Sequence, residues 1–109
     1  MDGAAAALFE TLGRAGRHPL LEQAHGTLRF EVEGARTPTR WTVAFEHGAV
    51  KVSHANRTAD CTVRTSEELL DGLASGEVNA MAAVLRGAVA VEGDPELFLR
   101  FQRLFPGPS

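Results

Sequence analysis

Residues 75–104 read SGEVNAMAAVLRGAVAVEGDPELFLRFQRL, a helix, a short strand and a second helix with glycines at the joints. Ser75 and Gly76 form a small-residue turn. Val78, Met81, Val84 and Leu85 recur at helical spacing and predict a helix over 78–85 with one apolar face. Arg86 falls in its last turn, where a cation meets the carbonyl end, and Gly87 suits the left-handed position beyond it. Val89 and Val91 alternate with Ala88 and Ala90, which predicts a brief strand over 89–92. Asp94 then offers an N-cap, Pro95 the first helical position and Glu96 a first-turn acid. Leu97, Phe98, Phe101, Leu104 and Phe105 load one side of the last helix with apolar bulk. These two helices are expected to close one face of a sheet over an apolar interior.

The sheet itself is written upstream. Residues 27–33 alternate, with Leu28, Phe30 and Val32 on one side and Thr27, Arg29, Glu31 and Glu33 on the other. A loop over 34–38 follows. Residues 40–46 alternate again, with Trp41, Val43 and Phe45 inward, and His47-Gly48 makes a two-residue turn into 49–54. Val50 and Val52 face inward there, and His54 ends the same row. Centring the second hairpin on His47-Gly48 pairs Phe45 with Val50 and Val43 with Val52. Centring the first on Arg36-Thr37 pairs Val32 with Trp41, Phe30 with Val43 and Leu28 with Phe45. Every apolar row then shares one face, as register demands. Arg29, Glu31, Arg40, Thr42, Glu46, Lys51 and Ser53 fall on the other face, which is expected to be solvated. A polar loop over 54–59 leads to a fourth strand over 60–65, with Cys61 and Val63 inward. Thr65 and Glu68 have capping-box spacing, and Leu69, Leu70 and Leu73 stripe a helix over 66–74. At the other end, the Ala run before Leu8, Phe9 and Leu12 predicts a helix over 4–12 that docks on the core, followed by a linker over 13–19.

Composition bounds the function. The chain has 109 residues, the length of one domain, and 44% of them are hydrophobic, enough for a core. A net charge of −3 with no basic block speaks against nucleic acid, whose phosphates need clustered Lys and Arg. The single cysteine, Cys61, forms no internal disulfide and fits a reducing compartment. No unbroken apolar run is long enough for a membrane span, and neither a signal-peptide start nor a Ser-Lys-Leu ending is present, so a cytoplasmic location is expected. Abundant Ala, Gly and Arg beside a lone lysine, Lys51, point to a GC-rich bacterial coding sequence.

Chemical motifs are sparse. His18, His25, His47 and His54 have no metal-ligand spacing, and no second cysteine joins them. His18 sits in the linker and His47 in a turn; only His54 is placed to touch a ligand. Cys61 lies on the apolar row of a strand and reads as a small buried hydrophobe rather than a nucleophile. The acidic residues occupy caps and strand edges, and no pair is set apart for acid–base work. The conspicuous set is apolar: Phe30, Trp41, Phe45, Met81, Val84, Leu85, Phe98 and Phe101 are all expected to face the layer between sheet and helices. On pattern alone that layer is a dry core.

The order of these elements resembles a known family. AHGTLRFEVEG, RWTVAFEHGAVKVSH, ADCTVRTSEELLDGLASGE and the closing helix–strand–helix together resemble a sterol carrier protein type 2 domain, the non-specific lipid-transfer kind. The likeness spans about residues 26–105 and rests on element order, with no catalytic signature. It implies an α+β fold: a five-stranded, mainly antiparallel sheet with helices covering one face. The chain is expected to be a single domain over 1–109, with an N-terminal helix and linker over 1–25 and the core over 26–105. The resemblance also implies an apolar cavity between sheet and helices, lined by the eight residues just named. The expected function is binding, extending to transfer, of an apolar small molecule or lipid: fatty acyl, isoprenoid or sterol-like. A binding protein without catalytic residues, metal or cofactor is expected rather than an enzyme. Its partner is then a lipid-like ligand, with transient membrane contact, and the protein itself a monomer or homodimer. Two alternatives stay open: a small cavity enzyme, such as a cyclase or isomerase of a biosynthetic pathway, and an interaction or dimerisation module with a filled core.

Overall fold

The computed structural model describes residues 3–33 and 39–105. Five strands form one sheet: β1 His25–Glu33, β2 Thr39–Glu46, β3 Ala49–Ser53, β4 Cys61–Ser66 and β5 Ala90–Gly93. Helices α1 Ala4–Ala15, α2 Glu67–Ser75, α3 Ala80–Leu85 and α4 Pro95–Phe101 join them. The strand order is β3-β2-β1-β4-β5. Three of the four pairings are antiparallel, and β1 with β4 is parallel. This is the expected α+β class. The parallel pair follows from connectivity, because the meander leaves β3 at the far edge and the chain must return to β1's free side.

That return defines the outer face. The segment 54–60 runs back across β2 and β1, and polar side chains pin it there. Thr42 Oγ1 donates to the Ala55 carbonyl at 2.6 Å, and Arg29 donates to the Arg57 carbonyl at 3.0 Å and to Thr62 Oγ1 at 3.3 Å. Thr42 and Thr62 are therefore buried, at 1% and 7% exposure. The expectation of a solvated outer face is corrected at its centre: the returning backbone accepts from Thr42 and Arg29, and Arg29 in turn donates to Thr62.

The two hairpins differ in how well pattern sets their register. Around His47-Gly48, Phe45 opposes Val50 and Val43 opposes Val52, as expected. Both turn residues have positive φ, 48° and 90°, the twist a two-residue hairpin needs. In the first hairpin Phe30 opposes Trp41 and Leu28 opposes Val43, a slip of two residues from the expected pairing. A slip of two keeps every side chain on its face, so burial does not oppose it. The observed register also sets Glu31 opposite Arg40, with Nε and Oε1 3.1 Å apart. The expected loop over 34–38 lies outside the described residues.

Helix ends also shift. α2 is capped by Ser66, whose Oγ accepts from the Leu69 amide at 3.1 Å, and not by Thr65, which stays in β4 facing inward. α3 is capped by Asn79, whose Oδ1 accepts from the Ala82 amide at 2.9 Å. The helix thus begins at Ala80, beyond Val78. α4 starts as its sequence predicts, with the Asp94 carboxylate accepting from the Glu96 amide and Pro95 in the first turn. α1 has no side-chain cap of its own. Asp71 of α2 accepts from the Ala5 amide at 3.0 Å and serves instead, tying the two helices together.

Asp60 closes the far end of the sheet. Its carboxylate and amide both bind Thr27, and its carbonyl accepts from the Asp94 amide at 2.9 Å. Gly93 makes that approach possible: its φ is 93°, and a Cβ there would collide with the Asp60 carbonyl. Gly93→Ala should lower the free energy of unfolding by about 2–3 kcal/mol in urea denaturation. A loss below about 0.5 kcal/mol would show that the junction is not under this constraint.

Candidate ligand site

The inner face of the sheet is covered by α1, α2 and α4, and the space between is occupied mainly by aromatic rings. Phe9 of α1 is the hub. Its ring lies 4.8 Å from Trp41, 5.1 Å from Phe30 and 5.9 Å from Phe101, centroid to centroid. Phe30 and Phe101 meet at 5.2 Å, and Phe105 packs edge-on against Phe101 at 5.6 Å. These are offset and tilted contacts of the kind aromatic rings favour.

The eight residues expected in this layer separate into two groups. Phe30, Phe45, Phe98 and Phe101 are buried in the core, and Trp41 and Val84 are partly buried against it. Met81 and Leu85 are not in the layer: they are 41% and 84% exposed. The cap at Asn79 is the reason. With the helix starting at Ala80, the inward positions fall to Ala80 and Ala83, small residues that let the α3 backbone sit close to its neighbours. The sequence reading docks Phe9 on the core with its helix but leaves it out of the eight residues expected in this layer.

Beside Trp41 lies a cavity of about 330 Å³ between α1, α2 and the ends of β1 and β2. Ala5, Ala6, Val32, Trp41 and Leu70 supply its apolar wall, and Glu10, His54, Glu67 and Asp71 its polar one. Its volume is at the low end of the range for small-molecule sites, about 300–1,000 Å³. A larger groove of about 830 Å³ runs along α2, Val78 and β5, but it is more open to solvent and lies away from the aromatic layer. The smaller cavity is the better candidate because one of its walls, Trp41, stacks directly on Phe9. Helical spacing marks Ala6 with Glu10 and Glu67 with Asp71 as neighbours, but no local pattern shows that the two helices face each other there.

His54 projects beyond the end of β3, with its ring 4.3 Å from that of Trp41. Its Nδ1 lies 2.7 Å from the Arg40 carbonyl, so that nitrogen carries the proton and donates. His18 has a turn role instead, accepting from the Leu20 amide through Nδ1. Among the described residues no group of three or more His, Cys, Asp or Glu side chains is placed to hold a metal ion. No described helix is long and apolar enough to cross a membrane.

A sequence model of the SCP-2 sterol transfer family matches residues 7–106, and the chain belongs to that family. The match includes most of α1, which the sequence reading had placed outside the likeness. Solved structures agree in fold. The sterol carrier protein domain 2 of Helicoverpa armigera superposes with a TM-score of 0.75 at 24% identity, covering 94% of this chain and 86% of that one. The UbiJ-SCP2 ubiquinone synthesis protein gives 0.69 at 27% identity, covering 92% and 90%. Sterol carrier protein-2 from Aedes aegypti, solved in complex with the C16 fatty acid palmitate, gives 0.73 at 15% identity, covering 94% of both chains. No curated protein sequence matches the chain.

Cys61 is buried between β1 and β5. Burial, with the Asp94 carboxylate adding to it, pushes its thiol up from an ordinary 9.0 to about 11. It is a thiol, not a thiolate, at neutral pH and no nucleophile. The folded state therefore holds this proton more tightly than the unfolded state does. Its contribution to stability is full below pH 9 and is lost as pH rises to about 11. Compared with Cys61→Ala, the natural protein should lose on the order of 2 kcal/mol of unfolding free energy across that window. Parallel pH profiles for the two proteins would refute the assignment.

Proposed function

We propose that this protein binds a lipid-like apolar ligand, taking it up at the cavity beside Trp41 and housing its tail in the layer between sheet and helices. Membership of the SCP-2 sterol transfer family and the palmitate complex of the Aedes aegypti relative support lipid binding as the activity. The observation that carries the reading here is the continuity from cavity to core. Trp41 lines the cavity and stacks on Phe9, and Phe9 in turn touches Phe30 and Phe101. A tail entering at Trp41 meets an unbroken apolar path. The layer is filled in the free protein, so uptake requires Phe9, and α1 with it, to move away from the sheet. Burying each methylene returns about 0.8 kcal/mol, so about ten of them outweigh the loss of a few ring contacts of about 0.5–1.5 kcal/mol each. Phe30, Trp41, Phe98 and Phe101 are the ligand-contacting residues in this scheme, joined by Phe9, Val32 and Leu70; Phe45, buried further along β2, and Val84 extend the same apolar floor. Met81 and Leu85, being exposed, take no part in the closed state and are available for transient contact with a membrane. We further propose that the chain works as one domain in the reducing cytoplasm, consistent with its single buried cysteine.

One observation favours a second reading, the filled-core interaction module. The layer is occupied by aromatic rings, and β3 is a sheet edge that, among the described residues, is bridged only at its start, by Arg17 to Ala49.

Trp41 is the chain's single tryptophan, so its emission reports directly on the site. Adding a long-chain lipid should shift that emission, and native mass spectrometry should show the lipid bound. Ala6→Phe fills the cavity without touching the core and should weaken uptake at least about tenfold, whereas Leu85→Ala should leave it unchanged. A clean apo mass, no response of Trp41 and a dimer in sedimentation would favour the interaction module instead.

A further inference from the structure

We propose that the exposed end of α3 and the groove beside it form one self-complementary surface, and that a second copy of this chain covers it. Leu85 is 84% exposed and Met81, one turn earlier, 41%. Both project from a helix whose buried side is made of Ala80 and Ala83. Directly after Leu85 come Arg86, Gly87 and Ala88, which line the groove of about 830 Å³ along α2. Leu69 and Gly72 of α2, with Val78, supply its apolar wall. A Cβ placed on Gly87 would meet nothing within 4 Å, so there is open space at that point. Thr65, at 3% exposure, also lines the groove, and among the described residues its Oγ1 has no hydrogen-bond partner. A buried hydroxyl left unpaired is unfavourable, and a chain seated in the groove is able to supply the missing bond.

Knob and groove lie side by side, the arrangement a two-fold dimer requires. Each copy offers Leu85 to the other's groove, and the contact is made twice. The charges agree with this occupant. Arg86 is next to the knob, whereas Glu33, Glu68 and Glu77 line the groove. Among the described residues Arg86, Glu68 and Glu77 are in no ion pair, and Arg64, the groove's other cation, already pairs with Glu92 at 3.5 Å. Leu85 and Arg86 of one copy therefore bring an apolar side chain and a cation to an apolar, acid-rimmed groove on the other. An anionic membrane surface would meet the same carboxylates as like charges. The cavity beside Trp41 shares no lining residue with this groove, so dimerisation leaves lipid uptake open. It withdraws Leu85 from solvent, so self-association and membrane contact compete for one side chain.

Sedimentation equilibrium of the full chain is the test. The protein should show a monomer–dimer equilibrium with a Kd on the order of 100 μM, as a small interface gives. Leu85→Glu sets a carboxylate against the acidic rim, and Ala88→Phe fills the groove from an exposed position. Each should weaken the dimer at least about tenfold while circular dichroism shows the fold unchanged. Mixing the two variants restores one of the two contacts, because Leu85 of the second meets the unfilled groove of the first. The mixture should therefore associate more strongly than either variant alone. A chain that stays monomeric up to about 1 mM overturns the proposal. A dimer that both variants leave intact also overturns it, since the contact then lies elsewhere, as at the edge of β3. Monomeric protein that binds phosphatidylcholine vesicles, and loses that binding in Leu85→Glu, assigns the face to a membrane instead.

Discussion

The contact of Phe9 with the sheet is the constraint on which the inner layer depends. α1 is the longest helix, yet it buries only Ala5, Phe9 and Leu12. Phe9 is the largest of these, and its ring lies against Trp41, Phe30 and Phe101. The helix's other anchor is polar and comes from α2, through Asp71. Ala5 and Leu12 pack beside the Phe9 ring, and just past the far end of the helix the Gly16 carbonyl accepts from the Val50 amide of β3.

The sheet has a fastening of its own on the face away from the helices. The return of the chain along 54–60 covers the centre of the outer face with backbone, held by Thr42 and Arg29. Asp60 then ties the start of β1 to the junction between β5 and α4. The strands are therefore held together by hydrogen bonds among themselves and by a polar clasp behind them. Their inner surface is left to side chains that meet the helices through non-directional contacts. Non-directional packing is the kind that a tail of similar polarity can replace.

Recognition of an apolar ligand asks little of any single residue, which is why no motif announces it. The polar side chains of the cavity lie at its rim, where α1 and α2 bring carboxylates beside His54. Cys61, the one side chain with intrinsic nucleophilic chemistry in the core, is withdrawn from use by burial.

Much of the architecture was legible locally. Alternation in β1, β2, β3 and β4 told inside from outside, and Asp94-Pro95 marked the start of α4, because these signals depend on residues a few positions apart. The family was legible from the order of those elements. Where the sequence reading failed, the deciding partners were distant. The pairing of Phe30 with Trp41 rather than Val43 is invisible to a period of two, since both registers bury the same rows. The solvated outer face was contradicted at Thr42 by a segment that returns over it. Met81 and Leu85 were misplaced because the Asn79 cap starts α3 later and lets alanines face inward. The cavity was missed because Ala6 and Glu10 face Glu67 and Asp71 from sixty residues away, a meeting of two helices that neither helix encodes alone. Sequence by itself determined which side chains are apolar and on which face of each element they lie. Tertiary structure decided which faces meet, because that depends on the path of the chain between elements and on packing, which no local period records.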